Sequence, residues 1–182
     1  MIVMRHVRAE DKEKIRNWRN KPSVAQYMYT DNYITREEHE RWFARVTSDP
    51  TLEYWIITYD GEDIGLLNLY GIDECHRRCY WAFYVAEEGL RRKGVGGSVE
   101  YFVLKYVFEE LKLNKLCCEV LASNQAVVGM HKSFGFREEG YFRQHVMKGG
   151  KSADIHCLAM LREEWEQLRA SIEERLRGKG LL

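Results

Sequence analysis

Long apolar runs are missing from this 182-residue sequence, and none is long enough to span a bilayer. Net charge is missing too: Lys plus Arg and Asp plus Glu stand at 28 each. Nothing global therefore argues for nucleic acid or a membrane surface as partner, and any basic site is local. No signal peptide is expected, because Met1-Ile2-Val3-Met4 runs straight into charged residues. The five cysteines are odd in number, with Cys117 and Cys118 adjacent. That suits reduced thiols and a cytoplasmic location. Cys75-His76 and Cys79 have no second cluster at metal-ligand spacing, although His156-Cys157 lie far along the chain, so no metal is expected. Repeats, low-complexity segments and linkers are absent. Hydrophobic content of 45% and charged content of 31% are those of a soluble globular chain, read as one domain over residues 1–182.

What the chain does have is a basic glycine loop, Arg91-Arg92-Lys93-Gly94-Val95-Gly96-Gly97. A strand-like run, Cys79 to Val85, precedes it. Apolar residues at Val99, Phe102, Val103, Tyr106, Val107 and Leu111 follow at helical spacing. Strand, basic turn, glycines and helix start together make an anion site: N–H groups approach unhindered and the helix dipole favours negative charge. The ordinary alternative is a strand–helix turn with solvated basic residues. The loop is not a Walker loop, which needs Gly-Lys-Ser/Thr, and Val99 stands where the dinucleotide fingerprint needs its third glycine.

A second motif changes the balance. Asn124-Gln125-Ala126 is followed by His131 and then Phe134-Gly135-Phe136. With Arg91, Gly94 and Gly96 in an Arg-x-x-Gly-x-Gly loop, this resembles the GCN5-related N-acetyltransferases (GNAT). The resemblance implies an α/β (α+β) fold, with a mostly antiparallel mixed sheet of about seven strands that splays between its two middle strands. It also implies acetyl-coenzyme A as co-substrate. The family's usual Tyr is His131 here, a departure that bears on mechanism.

Elsewhere the pattern predicts a first strand over Ile2 to Arg8 and a charged helix over Ala9 to Asn20. Pro22 starts a short helix through Tyr29. Thr35-Arg36-Glu37-Glu38 is a capping box opening a helix with His39, Trp42, Phe43 and Val46. Tyr54–Tyr59 and Asp63–Tyr70 form a hairpin around Asp60-Gly61. Lys115–Leu121 is a strand and Asn124–Phe134 a helix. A last hairpin turns at Gly149-Gly150, and Leu161–Arg177 is a charged terminal helix.

The resemblance assigns roles. Arg91, Arg92, Lys93, Gly94, Val95, Gly96 and Gly97 hold the pyrophosphate, and Asn124 lies by the pantetheine arm. A backbone N–H at or near Val85 polarises the thioester carbonyl, an oxyanion-type role. Glu119, on the strand facing the splay, is the candidate base for the attacking amine; a solvent-facing strand carboxylate is the alternative. His131 is the candidate acid for the leaving thiolate. An imidazolium, ordinarily near pKa ~6.5, can protonate a thiolate whose acid lies near ~8.5; a packing histidine is the alternative.

The first fifty residues bear on the acceptor. Trp18-Arg19-Asn20, Met28-Tyr29 and Glu38-His39 with Trp42-Phe43 look like the N-acetyltransferases of pseudaminic acid biosynthesis, which act on a UDP-linked 4-amino-4,6-dideoxy sugar. On that resemblance Arg19, Met28, Tyr29, His39, Phe43, Tyr80 and Tyr84 are candidate substrate contacts. Of Trp42 and Phe43, one is core. A protein or peptide N-terminal acetyltransferase and a non-catalytic acyl-coenzyme A sensor remain open, as does the choice between monomer and homodimer.

Overall fold

The computed structural model describes residues 2–90 and 93–182. β1 (Ile2–His6) leads through a 3-10 turn at Ala9–Asp11 into α1 (Lys12–Arg19), then α2 (Pro22–Ala25) and α3 (Arg36–Val46). β2 (Glu53–Tyr59), β3 (Glu62–Asp73) and β4 (Arg78–Val85) form a meander. α4 (Val95–Lys105) continues through a π turn at Tyr106–Glu110 into β5 (Lys115–Leu121). α5 (Gln125–Phe134), β6 (Arg137–Lys148), β7 (Lys151–Leu161) and α6 (Arg162–Arg177) complete the chain.

The seven strands make one sheet in the order β1-β2-β3-β4-β5-β7-β6. All neighbours are antiparallel except β4 and β5, which run parallel. That pair is joined only from Arg78↔Lys115 to Tyr80↔Cys117. Beyond it the strands part, so the ends Trp81–Val85 and Cys118–Leu121 face a wedge. The expected sheet and its splay are both present.

Strand periodicity places alternate residues on opposite faces. Trp55 and Ile57 of β2, with Leu67 and Leu69 of β3, join the main core with α4, α5 and α6. Ile56 and Leu66 join a second core with Ile15, Trp18, Val24 and Phe43. The sheet is thus covered on both faces.

Local signals account for most boundaries. Asp60 and Gly61 both have positive φ, as a two-residue hairpin turn needs. Thr35 and Glu38 form the reciprocal capping box. The predicted helix through Tyr29 stops at Ala25 instead. There the Lys148 ammonium, from the far end of the chain, hydrogen-bonds the Ala25 and Met28 carbonyls. No local pattern announces that contact. β1 ends at His6 rather than Arg8, and β3 runs on to Asp73.

Candidate active site

Three cavities meet along β4, and Met28 and Phe83 line all of them. The first, about 390 Å³, runs past Val85, Leu90, Val95 and Gly96 to Asn124. The second, about 270 Å³, fills the splay between Trp81 of β4 and Glu119 of β5, with His131 and Cys118 in its wall. The third, about 520 Å³, opens on the other side between α1, α3 and the sheet.

At the first cavity, Gly94 is the N-cap of α4 with φ 83, a left-handed conformation that L side chains rarely adopt. As the N-cap it precedes N–H groups that have no acceptor within the helix, an arrangement that suits an anion. Lys93 and Gly97 border the loop's outer side. Arg91 and Arg92 lie outside the described residues. Val95 is buried, so its contribution to a ligand is through backbone. Asn124 is the N-cap of α5, yet its side chain makes no capping bond. That leaves the amide for a ligand in either adjoining cavity.

In the splay, the Tyr29 hydroxyl donates to Glu119 Oε2. His131 is 3% exposed and its Nδ1 lies 2.9 Å from Glu100 Oε1. Trp81 stands edge-on to the imidazole, ring centroids 5.1 Å apart. Burial pushes the Cys118 thiol well up, so it stays protonated and is a poor nucleophile. The wall therefore offers a carboxylate and an imidazole but no reactive thiolate, which suits direct transfer rather than an acyl-cysteine.

The 520 Å³ cavity has an apolar lining from Met28, Trp42, Leu66 and Phe83. Set into it are two polar atoms that are buried and without partners among the described residues, Arg19 Nη1 and the Tyr84 hydroxyl. Burial lowers the Arg19 guanidinium from its ordinary value and raises the Tyr84 phenol. Both remain donors at neutral pH. Buried donors without acceptors are costly, and a ligand acceptor relieves the cost. His39 also lines this cavity, but its Nε2–H donates to the Lys12 carbonyl at 2.7 Å, and burial holds it neutral.

Two candidate contacts lie elsewhere. Phe43 packs in the second core and Trp42, its neighbour, faces the cavity. Tyr80 sits where β4 is still paired with β5 and stacks on Tyr70, centroids 5.4 Å apart. It is Tyr70 that reaches the splay cavity. Sequence reasoning also passed over Glu100. Its signal was there: Glu100 falls three residues before Val103 and seven before Val107, on the apolar side of α4.

Residues 2–137 match the family model described as acetyltransferase (GNAT) domain. The chain belongs to the GNAT family. It is an N-acetyltransferase, and GNAT enzymes take their acetyl group from acetyl-CoA. Among GNAT relatives, acetyltransferase PseH of Campylobacter jejuni is 31% identical over 128 residues, covering 70% of this chain and 78% of that protein. Spermidine N(1)-acetyltransferase of Escherichia coli is 25% identical over 139 residues, covering 76% and 74%. A solved GNAT structure, spermidine N-acetyltransferase from Vibrio cholerae in complex with CoA and spermine, superposes with TM-score 0.84 at 22% identity, over 91% of this chain and 98% of that one. Among the described residues no helix is long and apolar enough to cross a membrane, and no group of three metal-ligating side chains is found.

Proposed function

We propose that this GNAT enzyme acetylates the 4-amino group of a UDP-linked 4-amino-4,6-dideoxy sugar by direct transfer from acetyl-CoA. The observation that carries the reading is the 520 Å³ cavity with its buried donors Arg19 Nη1 and Tyr84 OH in an apolar wall. A nucleotide sugar presents acceptor oxygens to those donors, and its 6-deoxy methyl group suits Met28, Trp42 and Leu66. A polyamine fits poorly. It would bring two or more positive charges to a half-buried guanidinium that no described carboxylate pairs. Glu38, the carboxylate in this lining, is held by the backbone N–H of Thr35. The likeness to PseH supports the same choice.

The residues then divide the work. The N–H groups at Gly94–Gly97, with Lys93, Arg91 and Arg92, take the pyrophosphate, and Asn124 and the backbone near Val85 align the pantetheine and thioester. The amine enters from the large cavity and attacks the thioester carbonyl near the Met28–Phe83 junction. Glu119 accepts the amine proton directly or through water, after Tyr29 gives up its hydrogen bond. The C–S bond breaks and the thiolate takes a proton from His131.

Purified protein incubated with acetyl-CoA and a panel of amines tests the reading by thiol release. The UDP-4-amino sugar is expected to turn over at least about 10²-fold faster, by kcat/KM, than spermidine or a peptide N-terminus. Equal turnover on spermidine overturns the sugar reading, and thiol release with no amine in the panel overturns the choice of acceptor altogether.

A further inference from the structure

His131 stands where the family's usual residue is a phenol, and an imidazole brings a problem that a phenol does not. A phenol carries its proton on one atom. An imidazole has two nitrogens, and in the neutral ring only one bears hydrogen. For His131 to deliver a proton into the splay cavity, the hydrogen kept after delivery must sit on Nδ1, leaving Nε2 as the atom that unloads and reloads.

The neighbouring helix supplies the means. Glu100 on α4 is fully buried, with Oε1 2.9 Å from His131 Nδ1. Its second oxygen, Oε2, is buried with no partner among the described residues. A carboxylate there is expensive: burial pushes the Glu100 carboxyl up, against the pull of His131 and of Arg175 on α6. A leucine in this wall, among Val99 and Val103, would give packing without the cost of desolvating a charge. His131, pinned by Glu100 on one side, reaches the splay cavity that also holds Glu119.

We infer that Glu100 is a positioning residue for the proposed acid: it accepts the Nδ1–H of His131 and so fixes the ring's tautomer and orientation with Nε2 toward the thiol. This rests on the reading of His131 as the acid. In the step itself the Nε2–H bond breaks and an S–H bond forms. The imidazolium becomes a neutral ring with its hydrogen on Nδ1, still donated to Glu100. The proton released by the amine, passed through solvent, restores the charged ring.

Glu100→Leu separates this role from packing. It is expected to melt within a few degrees of the parent, because an apolar side chain replaces a buried charge. Its kcat is expected to fall at least about tenfold while the KM for acetyl-CoA is unchanged, since a misplaced tautomer costs the transition state and not ground-state binding. In a His131→Ala background the same change should do nothing further. An independent measurement on the unaltered protein is nitrogen NMR with labelled histidine: the neutral His131 ring should carry its hydrogen on Nδ1, and in Glu100→Leu the Nε2–H form should appear. If His131→Ala is fully active, the acid reading itself falls. If His131→Ala is slow but Glu100→Leu keeps its kcat, or the two losses simply multiply in the double variant, or the unaltered neutral ring is protonated on Nε2, the acid stands and the role of Glu100 is overturned.

Discussion

Gly65 offers a sharp test of how the splay is built. It sits on β3 opposite Val85, at the point where β4 leaves its last antiparallel contacts. A Cβ added there would lie 2.2 Å from the backbone carbonyl oxygen of Tyr84, well inside the 3.0 Å that real Cβ contacts respect. The obstacle is backbone, so no side-chain rotation relieves it. In Gly65→Ala the end of β4 must move away from β3, loosening the Gly65–Val85 pair and the adjoining Ala86 N–H to Ile64 carbonyl bond of 2.7 Å. One backbone hydrogen bond at about 0.5–1.5 kcal/mol sets the scale of the loss. For a chain of this size that is a fall in Tm of about 1–6 °C. The same movement carries Tyr84 and Val85 off position, and a displacement of that kind is worth roughly tenfold or more in kcat. Thermal unfolding by circular dichroism and thiol release with saturating substrates measure the two effects. A variant that melts within about 1 °C of the parent and keeps its rate refutes the idea that β3 sets the geometry of the splay.

Other outcomes follow from the same geometry. Gly96→Glu should abolish acetyl-CoA binding, because bulk and negative charge enter the loop and even a Cβ would meet Met130 Sδ at 2.8 Å; calorimetric titration showing unchanged affinity removes the pyrophosphate assignment. Arg19→Met should raise the acceptor KM about 10- to 100-fold by removing one charge-assisted hydrogen bond of ~1.5–3 kcal/mol, with acetyl-CoA KM unchanged. His131→Ala should lower kcat at least about tenfold, and His131→Tyr should retain much of the rate. Asp11 is buried; burial alone would raise its carboxyl, but the Arg5 guanidinium and the Arg8 N–H more than offset this and hold it below the ordinary range. Its contribution is therefore present above the unfolded value near pH ~3.9 and lost as pH falls through the lower folded one, so Asp11→Asn should cost about 1–3 kcal/mol at pH 7 and progressively less in acid, read from denaturant melts.

Elements with local causes were legible in the sequence. The Asp60-Gly61 turn, the Thr35–Glu38 capping box and the strand–loop–helix around Gly94 each depend on neighbouring residues. The splay was legible only through family resemblance, since strand pairing that stops after Tyr80 leaves no trace in hydrophobic period. Trp42 and Phe43 are adjacent and both apolar, so which one faces the cavity depended on how α3 is rotated against α1. Tyr80 was misplaced because its face of β4 is right but its height is wrong: the strands are still joined there. Glu100 stands on the apolar side of α4, but its partner His131 lies 31 residues on, and no local pattern joins the two. Lys148 was hidden by distance, over a hundred residues from the carbonyls it holds.

That lysine has a consequence for how such an enzyme changes its acceptor. The residues proposed to grip the thioester and shuttle its protons fall within 2–137, the span matched by the family model. So do Ala25 and Met28, but their carbonyls are hung from Lys148, whose hairpin runs beyond that span. The place of Met28, which lines all three cavities, thus depends on a stretch of chain outside the shared one. A change in the length or tip of the β6–β7 hairpin is expected to shift the cavity wall at Met28 while Glu119 and His131, on β5 and α5, stay where they are.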